Sequence, residues 1–178
     1  MGTHSGGARG AGALSRGVTR DWIWKAAVAG FCGSAAHSLL MYLKWRTGLL
    51  PDFQPYENLQ AALGRLTGAE VHPVIPWALS FLNGSTVLGF CFGRFYSRLP
   101  GDGGVAKGAA FGVLGWAVMG LVFFPLLGIG AFAANLDLGI WPAMFSLAML
   151  LTYSVILGVV YAALNPRREM ESSRSVLK

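Results

Sequence analysis

Apolar positions gather into four long runs, each free of Asp, Glu, Lys and Arg, at residues 26–43, 74–93, 108–127 and 140–165. A helix needs about 20 such residues to cross roughly 30 Å of hydrocarbon. The pattern predicts an all-α membrane protein, a four-transmembrane-helix bundle with spans at about 24–43, 74–95, 107–127 and 140–164. One membrane domain then covers 24–165. Residues 1–23 read as a flexible basic N-terminal tail and 166–178 as a disordered basic C-terminal tail, with no soluble domain.

Two connections carry their own pattern. In the first loop Leu59, Ala62, Leu63 and Leu66 recur at i, i+3, i+4 and i+7, one apolar face of a helix. Pro55 suits its first turn and Gly68 its end. The spacing predicts a short outer helix, lying at the membrane interface or capping the bundle. The third loop continues a stretch of 29 uncharged residues from Gly108 to Leu136. Pro125, Gly128 and Gly130 should break the helix there. Non-helical backbone at membrane depth must be shielded by protein or line a water cavity. The segment is therefore expected to fold back over the bundle as a re-entrant cap. Asn135 and Asp137 would satisfy backbone groups, and Gly139 with Pro142 would open the fourth helix.

Composition fits this reading. Charged residues make up 12% of the chain, half the usual ~25% of soluble domains. The net charge of +6 then reflects Lys and Arg collected on one membrane side rather than a nucleic-acid surface. Arg9, Arg16, Arg20, Lys25, Arg94, Arg98, Lys107, Arg167, Arg168, Arg174 and Lys178 fall on one side. Only Lys44, Arg46 and Arg65 fall on the other. Both termini should face the cytoplasm, an inner-membrane topology. Trp22, Trp24, Phe95, Tyr96 and Tyr161 mark the inner border, and Trp45, Trp77 and Trp141 the outer one. Trp116 lies near mid-depth, where packing is the expected role. Gly33-Ser34-Ala35-Ala36 resembles a signal-peptidase site, but the apolar run continues past it to Leu43, so the first helix reads as uncleaved. Gly6 stands where a myristoylation signal needs Ser or Thr. Asn165-Pro166-Arg167-Arg168 reads as a helix stop followed by an anionic-lipid contact.

Glycine, 25 of 178 residues, is about twice as frequent as the ordinary ~7%. In lipid, small residues let helix backbones approach. Small-xxx-small pairs occur at Ala26/Gly30, Ala29/Gly33, Gly89/Gly93, Gly108/Gly112 and Ser154/Gly158. They predict tight packing, within one chain or between chains. A faint repeat links Lys25, Gly30 and Gly33 to Lys107, Gly112 and Gly115, 82 positions on. Val87-Leu88-Gly89 matches Ile156-Leu157-Gly158, 69 positions on. The chain reads as a duplicated helical hairpin in parallel orientation.

Candidate chemistry is sparse. Polar groups inside spans are costly and so worth testing as sites. Counting 1.5 Å per residue puts His37, Ser80, Asn83 and Thr152 in one polar layer, a hydrogen-bonded spacer between helices or a ligand or proton path. Met119 has a depth similar to His37, and His with Met is a known haem axial pair. No second intramembrane His accompanies it, so no cofactor is expected. No Asp or Glu lies in any span, which disfavours a carboxylate proton relay. Cys32 and Cys91 form no C-x-x-C pair and read as small hydrophobes. His4 and His72 read as solvated. No metal-ligand cluster, P-loop or nucleophile elbow is visible, and no enzyme is expected.

Arg98-Leu99-Pro100-Gly101, Phe124-Pro125-Leu126 and Asn135-Leu136-Asp137-Leu138-Gly139 resemble a family of small bacterial four-helix inner-membrane proteins that carries only an uncharacterised-domain label. The similarity covers residues 26–164. It implies the bundle and brings no catalytic residue. Relatives often hold a histidine early in the second or fourth helix, where Leu79–Asn83 and Met149–Tyr153 have none. The leading expectation is a non-catalytic accessory or scaffold subunit, its partners the bilayer and other membrane subunits or itself. A small oligomeric transporter or channel, and a binder of an apolar cofactor or lipid, are the alternatives.

Overall fold

The computed structural model describes residues 8–165, with side chains from Asp21 onward. Its helices are α1 (Ala8–Thr47), α2 (Pro55–Thr67), α3 (Val74–Phe95), α4 (Gly103–Leu126) and α5 (Trp141–Ala163). Four of them, with α1 counted from Asp21, are long and apolar enough to cross a membrane. No strand occurs among the described residues. This is a multi-pass membrane protein built as an all-α four-helix bundle. The expected C-terminal tail, 166–178, lies outside the described residues.

Residues 8–23 depart from the expected flexible tail, because α1 begins at Ala8. No proline interrupts the chain before Pro51, and a helix nucleated by its span propagates at little further cost. The third span also starts earlier than charge suggests, at Gly103, just after Asp102.

The helices pack in the order α4, α5, α1, α3, and α3 and α4 barely touch. Lipid offers no hydrophobic drive between spans, so backbone approach and hydrogen bonds must hold them. Gly30, Gly33, Gly89, Gly93, Gly108, Gly112 and Gly158 all lie at interhelical contacts within the chain. A Cβ on Gly89 would meet the Ala26 carbonyl and the Gly30 Cα; one on Gly158 would meet the Gly104 carbonyl and the Gly108 Cα. On Gly33 it would strike the Tyr153 ring, on Gly93 Ala26 and Trp22, and on Gly112 Ser154.

Contacts across the bundle follow the repeat. Tyr153 and Gly84, 69 apart, touch each other through the Tyr153 hydroxyl and the Gly84 carbonyl at 2.7 Å. The Phe92 and Tyr161 rings, also 69 apart, meet edge to face at 5.6 Å. Lys25 donates to Asn165 at 3.0 Å, while Lys107 sits 4.5 Å from the Tyr96 ring centroid. Each hairpin thus places its first-helix lysine on the last-helix end of the other, as a two-fold axis along the bundle requires. The helix packing adds a correction. Gly104 and Gly108 take the parts of Ala26 and Gly30, one helical turn from the register in which Gly112 answers Gly30.

Two π turns, Gly84–Leu88 and Met119–Phe123, interrupt α3 and α4. Each inserts one residue into the helical ladder. As a result Gly84 and Gly89, five apart, both face α1.

Gly104→Val and Gly158→Val are each expected to lower stability in detergent by about 1–3 kcal/mol through overpacking. Gly115→Ala, whose nearest neighbour is the Leu150 side-chain tip at 3.2 Å, should be tolerated. Thermal unfolding of the three variants checks this.

Candidate functional site

The expected polar layer is not assembled. Ser80 accepts a hydrogen bond from the Tyr56 hydroxyl at 3.1 Å, facing α2. Thr152 bonds back to the Ala148 carbonyl at 2.9 Å. Asn83 is exposed on the outside of the bundle. Only His37 points inward, its ring edge-on to Tyr153 at 6.5 Å with the Met149 backbone beside it. The cause is phase. Equal depth does not place residues on one face, and rotation about each helix decides what meets.

A different node forms instead. Tyr153 of α5 lies between α1 and α3. It packs on Gly33, takes the His37 edge and donates to the Gly84 carbonyl. That carbonyl also accepts the Gly89 N–H, the five-residue bond of the π turn. Ser34, one turn before His37, rests its hydroxyl against Gly84, so that a Cβ on Gly84 would collide with it. The Ser34 and Ser85 hydroxyls are buried and find no hydrogen-bond partner among the described residues. Buried hydroxyls of this kind are where internal water binds. The π turn and Tyr153 were missed in the sequence, where a tyrosine inside a greasy helix reads as packing. The one signal was its position 69 residues after Gly84, within the repeat.

Met119 packs with the Phe53–Phe124–Leu127 cluster, away from the Tyr153 node that holds His37. Its place there follows from the second π turn, which puts Met119 and Phe124, five apart, on one side of α4.

At the loop end of the bundle Lys44 is buried, 3% exposed. Its ammonium donates to the Phe53 carbonyl at 2.6 Å, the Gln54 side chain at 3.2 Å and the Leu50 carbonyl at 3.3 Å. Phe53 and Phe145 flank it at 5.9 Å. It anchors the first loop on the bundle. From there α2 caps rather than floats: Leu59 and Ala62 pack on the Phe53–Phe124 cluster, while Leu66 stays exposed. Tyr56 meets the Trp77 ring edge to face at 4.5 Å. Burial pushes its hydroxyl above the ordinary phenol range, and the Ser80 bond offsets part of that.

The third loop folds back as a short 3-10 segment, Ala131–Leu136. Phe132 plugs onto Gly120 of α4 and stacks on Trp116 at 4.7 Å. The Trp116 indole N–H donates to the Ala143 carbonyl at 3.0 Å. Gly128, Gly130 and Gly139 take positive φ freely, whereas positive φ at Phe132, Ala133 and Asp137 is strain that the Phe132 plug and buried Ala133 hold in place. Asn135 covers Gly130, and its backbone N–H donates to the Ile129 carbonyl at 3.1 Å. Asp137 is exposed. Pro125 sits within the last turn of α4. Beside the cap an apolar groove of about 470 Å³ is lined by Trp116, Phe132, Ile140, Met144 and Leu147. On the loop surface a second hollow, about 610 Å³, is bordered by Glu57, Glu70 and His72. No group of three metal-ligating side chains occurs among the described residues. Cys32 and Cys91 are free thiols.

Residues 21–172 match the family of unknown function DUF6789, and the chain belongs to that family. No curated protein and no solved structure matches the chain.

Tyr153→Phe is expected to destabilise the bundle by about 1 kcal/mol through the lost hydrogen bond, with Thr152→Val nearly neutral, as read by thermal unfolding in detergent. Lys44→Met leaves the Phe53 carbonyl without its donor, while the Leu50 carbonyl keeps the Phe53 N–H. It is expected to cost about 2 kcal/mol and to raise hydrogen exchange across residues 50–67, while residues 141–163 stay protected.

Proposed function

We propose that this protein is a non-catalytic assembly subunit, a small scaffold that joins other membrane-embedded chains through its lipid-facing side. The observation that carries this reading is Asn83. It lies in the middle of α3, exposed, and makes no hydrogen bond among the described residues. An amide left in hydrocarbon costs several kcal/mol. A partner helix that supplies a hydrogen bond at that depth satisfies the amide, a net gain of about 0.6–2 kcal/mol. The other intramembrane polar groups at comparable depth behave differently. Thr86 and Thr152 bond back to their own helices at 2.6 and 2.9 Å, and Tyr153 and His37 turn inward.

The lysine and arginine distribution supports placement in a bacterial inner membrane with both ends in the cytoplasm. It also supports an anionic-lipid contact at that face, with the exposed Arg94 and Arg98 near the border. The glycine-packed interfaces support a rigid scaffold over a gated path, since the Tyr153 node is consumed by contacts between three helices.

Extracted in mild detergent, the wild type is expected to run as a species heavier than one 18.9 kDa chain, and Asn83→Leu as a single chain. Mass photometry with mass spectrometry of the peak reads both. A wild type that runs as a single chain without companions would overturn the reading.

A further inference from the structure

We infer that the α3 face around Asn83 pairs with the same face of a second copy of this chain, an isologous contact centred on two facing Asn83 amides. The inference rests on the assembly reading above and names the partner.

The internal two-fold shows what is missing from that face. Within the repeat, Ser85 corresponds to Ser154, and each lies toward its own hairpin. A Cβ on Gly30 would meet the Ser85 carbonyl, and one on Gly108 the Ser154 carbonyl. Asn83 corresponds to Thr152, on the opposite flank of each helix. In the second hairpin α5 packs along α1, and Thr152 is half-buried. In the first hairpin the matching neighbour of α3 would be α4, but the two barely touch, and Asn83 is exposed. The break in the ring of helices therefore falls on the flank that carries the one mid-depth amide.

The sides of α3 agree. Phe81 packs on Phe31 of α1 at 5.3 Å. Ser80 faces away, toward Tyr56 of α2. Asn83, three residues after Ser80, continues that second side. Its exposed neighbours Leu79, Leu82 and Val87 are bulky and apolar, and the Thr86 hydroxyl is already bound to the Leu82 carbonyl. Asn83 is thus a single polar point in an apolar ridge.

A carboxamide carries donor and acceptor together. Two of them related by a two-fold axis satisfy each other, as an isologous interface requires, and one amide in an apolar seam fixes its register. A foreign helix would have to bring its own polar group to this depth; a second copy brings it by construction.

The test keeps Asn83 and places the probe beside it. In a Cys32→Ala, Cys91→Ala background, Leu79→Cys is cross-linked in native membranes with a short bis-maleimide. Leu114→Cys, on the exposed side of α4, is the control. The expected result is a two-chain adduct from position 79, absent from 114, and reduced at least five-fold when Asn83→Leu is added. A photo-reactive phenylalanine analogue in place of Leu82, in the chain with both cysteines, gives the same reading if the cysteine-free form does not fold. Adducts of 79 or 82 with a different protein overturn the second-copy partner and leave the assembly reading standing. No protein adduct at either position overturns both. Equal two-chain adducts at 79 and 114, or adducts indifferent to Asn83→Leu, mark random collision and overturn the inference.

Discussion

Where α4 crosses α5, the Gly104 carbonyl lies where a Cβ of Gly158 would be, and the Gly158 carbonyl lies where a Cβ of Gly104 would be. Where α1 crosses α3, Ala26 and Gly30 meet Gly89 in the same manner. Everything else in the bundle depends on these backbone contacts. Lipid tails are as apolar as leucine, so burying leucine between spans gains little. Close approach gains dispersion over the whole length of the crossing, and one added methyl group removes it. The exposed sides of the spans, with Val28, Phe31, Leu39, Val113, Leu114 and Leu121, carry the bulky residues that the interfaces exclude.

Close approach also dictates where the helical ladder must yield. An α-helix brings residues four apart onto one side, whereas α1 is met by Gly84 and Gly89, five apart. The π turn at Gly84–Leu88 absorbs the extra residue and leaves the Gly84 carbonyl available to Tyr153. The turn at Met119–Phe123 does the same in α4, with Met119 and Phe124 both in the loop-end cluster and Gly120 open to the Phe132 ring. The polar node and the folded-back cap are thus both consequences of the register in which the glycines pack.

This explains how much was legible beforehand. The spans follow from run length and absence of charge, which act one residue at a time, and all seven glycines named for packing sit at interfaces. The fold-back of the third loop followed from Pro125, Gly128 and Gly130 in a stretch too greasy to leave the membrane. The site did not follow, because sites depend on rotation. Depth placed His37, Ser80, Asn83 and Thr152 in one layer, but phase scatters them, and each π turn shifts the phase by a residue that no side chain announces. Lys44 was hidden for another reason. A lysine at the end of a span reads as an interfacial charge, whereas this one is enclosed by loop carbonyls that the sequence does not place.

A duplicated hairpin has a structural cost. Two equal halves related by an axis along the bundle would cover equivalent flanks equally. Here α4 is displaced by one turn relative to α1, its glycines meeting α5 at Gly104 and Gly108. It lies against α5 and leaves α3 uncovered on one side. The loop end closes part of the opening, with α2 reaching from Trp77 and Ser80 of α3 to the Phe124 cluster of α4. The opposite end closes another part, where Phe92 meets Phe111 at 5.3 Å. Between these two closures the flank stays open, and Asn83 stands there. A threonine at that position could bond to its own helix, as Thr152 does in the other half. An asparagine has donors and an acceptor to place beyond its own backbone, so the residue that stands where the other half has Thr152 is one that suits the open flank.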